Sequence, residues 1–110
     1  MRYDIVLVPE AVRDLRRLKA NVRAAVRDAM ERHLRREPTQ LSKSRIKRLR
    51  GLSHPQYRLR AEDVRVFYDV TESTVEVLAI VPNSEAEAWL SQASEPTSEE
   101  GEADEESGTV

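Results

Sequence analysis

Three arginines stand where a strand pattern would set them side by side. Arg58 and Arg60 alternate within the run 57–60 (Tyr-Arg-Leu-Arg), and Arg65 falls at the start of the next β-patterned run, 64–70 (Val-Arg-Val-Phe-Tyr-Asp-Val). Residues two apart on a strand point to one face, about 6–7 Å from each other. That separation can straddle a phosphate group, whose oxygens suit the bidentate guanidinium fork. Arg65 on a neighbouring strand would complete a three-armed clamp. Ahead of these lies a basic segment, Lys43, Arg45, Lys47, Arg48 and Arg50, which offers further contacts to a nucleic-acid backbone. Arginine cannot act as a base, because its pKa stays above about 12. A phosphodiester-cleaving site would therefore need a separate proton carrier. His54, just before the 57–60 run, is the one side chain near the basic stretch that titrates near neutrality. The loop carboxylates Glu62, Asp63 and Glu85 are the other candidates. A histidine preceding Pro55 is more commonly a solvated turn residue than a catalyst, so His54 is weighed against that plainer reading.

The charge balance separates a basic domain from an acidic end. Residues 1–90 contain all 18 Lys and Arg but 13 of the 20 Asp and Glu, a net of +5, and residues 91–110 contain the other seven acids and no base. Such asymmetry points to a polyanionic partner such as nucleic acid. Residues 10–65 alone carry 17 bases against seven acids, enough for several phosphate contacts and a steep loss of affinity with salt. The absence of Cys excludes a disulfide framework, a thiolate nucleophile and a cysteine metal site. About 90 foldable residues make one small domain with a thin core, which leaves no room for a buried multi-part cofactor site. Nothing in the sequence resembles a secretion signal or a membrane span, so the expected compartment is the cytoplasm.

The elements that would position these groups are readable from periodicity. Residues 3–8 form an apolar, β-branched strand, and Pro9 is placed to open a helix. Leu15, Leu18, Val22, Val26, Met30 and Leu34 recur at helical spacing with arginines between them. Asn21 is a good capping residue, which predicts two helices, 10–19 and 21–36, in a hairpin. Pro38 stops the second, and 39–44 reads as loop. Strands follow over 57–60, 64–70 and 75–81, with connections at 51–55 and 61–63 and a hairpin turn at 71–74. By alternation Tyr57 faces away from Arg58 and Arg60, and Tyr68 away from Arg65 and Phe67, so at least one is expected in the core with its hydroxyl at the rim. Ser84 and Glu87 have capping-box spacing for a last short helix, whose Trp89 would pack on the sheet. His33 reads as helix surface or edge packing. The stretch 91–110 is too polar to order itself and is expected to be disordered. The sum is a small α+β domain over 1–90, an antiparallel sheet with an N-terminal strand, a two-helix hairpin on one face and three further strands, followed by an acidic tail.

This order, with Lys47-Arg-Leu-Arg-Gly-Leu52 ahead of Tyr57-Arg-Leu-Arg60, then Val64-Arg-Val-Phe-Tyr68 and an apolar last strand, resembles the RelE/ParE superfamily of toxins from bacterial type II toxin–antitoxin systems. The resemblance spans residues 2–90. It implies a metal-independent, ribosome-dependent mRNA endonuclease of the RelE branch, with a cognate antitoxin, the ribosome and mRNA as partners. The ParE branch, which poisons DNA gyrase, is the alternative, and a non-catalytic RNA- or antitoxin-binding member is a third. On that resemblance Arg58, Arg60 and Arg65 match the family's basic strand positions. The arginine and tyrosine that RelE-type nucleases place after the last strand have no counterpart in 82–90, Pro-Asn-Ser-Glu-Ala-Glu-Ala-Trp-Leu.

Overall fold

A computed structural model describes residues 1–97 of the 110. The chain opens on β1 (Asp4–Leu7), and Pro9 occupies the first turn of α1 (Pro9–Arg17), where its missing N–H would have had no partner. After Leu18 and Lys19, α2 (Ala20–Leu34) runs back along the same face. The helix hairpin is as the periodicity predicts, but Asn21 does not cap α2. The capping position is Lys19, extended at φ −60° and ψ 150° with no side-chain bond, and Asn21 lies exposed as the second residue of the helix. Arg23 closes the joint instead. Its Nη1 donates to the carbonyls of Arg16 and Leu18 at 3.2 and 3.4 Å, satisfying groups that the end of α1 leaves unpaired.

The main sheet has five strands in the order β1-β6-β5-β4-β2, where β2 is Ile46–Arg48, β4 Tyr57–Ala61, β5 Val64–Val70 and β6 Thr74–Pro82. Three features go beyond the expected antiparallel sheet. The N-terminal strand pairs with β6 in parallel, so the sheet is mixed. Part of the basic segment is itself a strand, β2, which adds to the edge of β4. The 51–55 connection contains a short strand, β3 (Leu52–His54), paired with β7 (Glu95–Pro96) in a separate ribbon.

Both faces of the sheet are covered in part. Val66, Tyr68, Leu59, Val75, Val77 and Ile80 meet Ala11, Leu15, Val26, Met30 and Leu34 of the helix hairpin in the main core. On the other face Phe67, Ala79 and Val81 are covered by Ala86, Trp89 and Leu90 of α3 (Asn83–Ala93) and by Leu49. The helices therefore lie on both faces, not one. Trp89 stacks on Phe67 with ring centroids 4.9 Å apart and planes 11° from parallel, the packing role expected of it. The Ser84/Glu87 capping box does not form: the residue before α3 is Pro82 and no side chain caps it. Ser91 to Ala93 continue α3 and Glu95–Pro96 form β7, so order extends past residue 90, while 98–110, where the rest of the acidic tail falls, lie outside the described residues.

A bulge reconciles β6 with both cores. Phe67 pairs with Ala79 but Tyr68 pairs with Val77, which leaves Leu78 as the extra residue. The inserted residue changes the parity of the strand, so Val75 and Val77 before it and Ile80 after it all face the helix hairpin. The Ile80 N–H finds its acceptor in Asp14 Oδ2 of α1 at 3.0 Å, which ties the helix to the strand at the irregularity.

Candidate phosphate-binding face

The basic residues converge because a tight turn and a register bring them together. Glu62 and Asp63 join β4 to β5, with Glu62 at φ 57°, and Ala61 pairs with Val64. This sets Arg60 directly opposite Arg65 and Arg58 opposite Phe67. On the outer side Lys47 of β2 is the direct partner of Arg58. Lys47, Arg58, Arg60 and Arg65 thus share the face away from the helix hairpin, on three adjacent strands spaced about 4.8 Å apart. Like charges directly opposite each other destabilise a sheet by roughly 0.2–1 kcal/mol per pair. Two such pairs on one face are a cost that bare folding does not explain.

Their electrostatics agree. Among the described residues, Lys47, Arg58, Arg60 and Arg65 make no ion pair. Burial pulls the Arg58 pKa below its ordinary value, and the neighbouring Arg65 and then Arg60 lower it further. The Arg58 Nε atom is buried without a hydrogen-bond partner among the described residues. Arg65 is shifted the same way by burial and by Arg60, with Asp63 pulling in the opposite direction. Its Nη1 donates to the carbonyls of Glu62 and Val64 at 3.3 and 3.1 Å, which anchors the stem. A buried, unpaired donor beside three other cations is an arrangement that an anion completes.

The other sequence candidates separate into three groups. Arg45 extends the row: it lies opposite Arg60, whose N–H donates to the Arg45 carbonyl at 2.8 Å, and with Ser44, Arg60, Glu62 and Asp63 it lines an open recess at the end of the face. Lys43 and Arg50 are exposed on the flanking loops. Arg48 is spent on structure. Its guanidinium lies 5.4 Å from the Tyr57 ring centre, and Nη1 donates to the carbonyls of Gln56 at 2.7 Å, Leu49 at 2.9 Å and Leu52 at 3.3 Å.

His54 is not among the arginines. Its Nδ1 bonds to Asp69 Oδ2, while Asp69 Oδ1 accepts the Gln56 N–H at 2.8 Å and Gln56 Oε1 accepts the Val70 N–H at 3.0 Å. Asp69 is on the same face as Arg65 but four residues further along β5, about 13 Å away. Arg58, opposite Phe67, lies between them. The ring of His54 is about one-third exposed, so its orientation is fixed while its second nitrogen is left for another partner. Asp69 was not singled out from the sequence, because the 15-residue separation from His54 gives no local signal. Glu85 lines a different recess with Asp14, Arg17, Ile80 and Val81, the last being the cross-strand partner of Arg65. The two tyrosines face the helix side as alternation predicts: Tyr68 is fully buried, stacked on Tyr57 at 5.5 Å, with its hydroxyl donating to the Pro38 carbonyl at 2.6 Å. Among the described residues no group of three or more His, Asp or Glu is placed to hold a metal ion.

A helix hairpin and a small α3 flank a mixed sheet that carries a cationic row on β2, β4 and β5. The family model of the ParE toxin of type II toxin–antitoxin systems matches residues 5–87, and the chain belongs to that family. It is thus a toxin of a type II toxin–antitoxin system, in the RelE/ParE superfamily. Solved structures share the fold. The RelBE2 toxin–antitoxin complex of Mycobacterium tuberculosis contains a chain 26% identical, with a TM-score of 0.59, covering 74% of this chain and 99% of that one. A chain of the archaeal RelE–RelB complex of Pyrococcus horikoshii is 26% identical, with a TM-score of 0.56 and coverage of 74% and 96%. An arginine-substituted variant of Escherichia coli RelE in the free state is 22% identical, with a TM-score of 0.61 and coverage of 81% and 92%. No curated protein sequence matches.

Proposed function

We propose that this toxin grips RNA phosphate with Lys47, Arg58, Arg60 and Arg65 and cleaves mRNA on the ribosome without a metal, and that a cognate antitoxin restrains it. The observation that carries the reading is the direct opposition of Arg60 and Arg65 beside the Lys47–Arg58 pair. Support for an antitoxin comes from the RelE-type chains of Mycobacterium tuberculosis and Pyrococcus horikoshii, which are solved as toxin–antitoxin and RelE–RelB complexes.

In the proposed reaction the 2′-hydroxyl oxygen forms a bond to phosphorus, the bond from phosphorus to the 5′-oxygen breaks, and a cyclic phosphate results. Arg58, the member of the row nearest Asp69, stabilises the charge that builds on the phosphorane oxygens, while Arg60 and Arg65 grip the neighbouring phosphate. The proton of the 2′-hydroxyl passes to Nε2 of His54, held in orientation by Asp69, and water protonates the departing 5′-oxygen. Lys43, Arg45 and Arg50 would add weaker contacts to ribosomal RNA. The reaction needs no cofactor. Among the described residues no helix is long and apolar enough to cross a membrane.

A second reading, inhibition of DNA gyrase, is favoured by the segment after β6. There α3 packs Trp89 on Phe67 and carries neither the arginine nor the tyrosine of RelE-type nucleases. Gyrase inhibition requires no proton transfer, and its contact surface would be the helix hairpin. The two are separated by incubating the full chain and its Arg65→Ala variant with mRNA held in the A site of programmed 70S ribosomes, in parallel with a gyrase supercoiling assay. Cleavage lost in the variant supports the nuclease. Intact mRNA together with inhibited supercoiling overturns it in favour of gyrase.

A further inference from the structure

The end of the described chain is fastened beside the cationic row. β7 pairs with β3, Ser53 Oγ donates to the carbonyls of Glu95 and Pro96 at 3.3 and 3.1 Å, and the Thr97 N–H donates to the Gly51 carbonyl at 3.0 Å. Gly51 is four residues from Lys47, which bounds the distance from this anchor to the near end of the row at about 14 Å. Beyond the anchor the sequence continues as 98–110, where Glu99, Glu100, Glu102, Asp104, Glu105 and Glu106 are joined by no Lys or Arg. A peptide of that length reaches at most about 43 Å. That is roughly three times the distance to Lys47, so acids can be brought to every member of the row.

The two partners are complementary. The row has four cations on three adjacent strands, and among the described residues none of them has a carboxylate partner. The six acids form a single-sign block that repels itself and gains by meeting a cationic surface. Tethering makes the encounter intramolecular, at an effective concentration on the order of millimolar.

We propose that residues 98–110 dock on the Lys47/Arg58/Arg60/Arg65 face of their own chain and compete there with nucleic-acid phosphate. The proposal rests on the phosphate-binding reading of that face. Incoming RNA must then displace carboxylates as well as small ions, so the tail lowers affinity most at low salt, where the pairing is least screened.

The test compares the full chain with a full-length variant in which the five glutamates become Gln and Asp104 becomes Asn. Both are titrated with a labelled twelve-nucleotide uridine RNA at low and high salt, with and without Arg60→Gln and Arg65→Gln. The expected result is tighter binding for the neutralised tail at low salt, on the order of tenfold, since a tethered competitor acts at a millimolar effective concentration. The gain disappears at high salt and in the arginine-substituted background. Equal affinities overturn the proposal, and so does a gain that persists without Arg60 and Arg65, since that would be general repulsion. A gain that varies with protein concentration would place the tail on a second copy and also overturns it. Binding that does not respond to the loss of both arginines overturns the phosphate reading itself, an outcome separable from failure of the tail alone.

Discussion

Arg60 and Arg65 face each other across β4 and β5, joined by a turn whose first residue, Glu62, takes φ 57°. A side chain in the left-handed region costs of order 1 kcal/mol where glycine would not. The strained turn, the opposed guanidinium groups and the Lys47–Arg58 pair all work against stability at the same end of the sheet. Structures accept such strain where a ligand is to be held.

If the row binds phosphate as proposed, Arg58 trades stability for binding. Replacing it with Met keeps the half-buried stem and removes the unpaired Nε and two like-charge contacts. Arg58→Met should raise unfolding stability by roughly 0.5 kcal/mol, the scale of a relieved cross-strand repulsion. The same variant should lose most RNA affinity. Urea unfolding and RNA titration on one preparation measure both, and a destabilised variant would contradict the account.

The Tyr68 hydroxyl is wholly structural. It donates to the Pro38 carbonyl at 2.6 Å inside the main core, and burial, with Tyr57 beside it, drives its pKa far above the ordinary tyrosine value. Tyr68→Phe keeps the stack on Tyr57 and leaves the carbonyl unpaired, for an expected loss of about 1–3 kcal/mol. RNA affinity at saturating folded fraction should stay within twofold of the parent.

Asp14 links α1 to the bulge of β6 through the Ile80 N–H, and it also pairs with Arg17 at 3.2 Å. The exposed Arg17 contributes little, since surface pairs are worth about 0–1 kcal/mol. Asp14→Ala should cost about 1–3 kcal/mol by leaving a half-buried N–H without an acceptor. Arg17→Ala should cost less than about 0.5 kcal/mol. Equal losses in the two variants would show the ion pair, not the strand contact, to be the important one.

His33 introduces a pH dependence. Burial, then Arg45 and Arg32, lower its pKa below the free value of 6.5, against the opposing pull of Asp28 and Glu37. The unfolded chain then binds the proton more readily than the folded one, so stability rises with pH across this interval. The contribution is complete above the unfolded pKa and is lost as pH falls through the lower folded one. Unfolding midpoints measured from about pH 5 to pH 8 should show this slope, and His33→Gln should flatten it.

Much of the architecture follows from local pattern. The apolar spacing from Leu15 to Leu34 marks the helix hairpin, and strand alternation correctly separates Arg58 and Arg60 from Tyr57 and Tyr68. What escapes local reading depends on distant partners. Ile46–Arg48 becomes a strand because the edge of β4 is available to it, and β3 exists only because residues after α3 return to pair with it. The bulge at Leu78 is supported by Asp14, 66 residues before Ile80. The Lys47–Arg58 and Arg60–Arg65 oppositions require a register that the sequence pattern suggests but does not number. His54 was legible as a titratable group, whereas its tie to Asp69 was not.

The central claim is that the row on β2, β4 and β5 binds phosphate, and salt dependence tests it most directly. Each phosphate contact to a single strand contributes about 0.7 to the slope of log affinity against log salt. Measured on the full chain with a short single-stranded RNA, Arg60→Gln and Arg65→Gln should each reduce the slope by about 0.7, and the double variant by about 1.4. Unchanged slopes in all three would contradict the account.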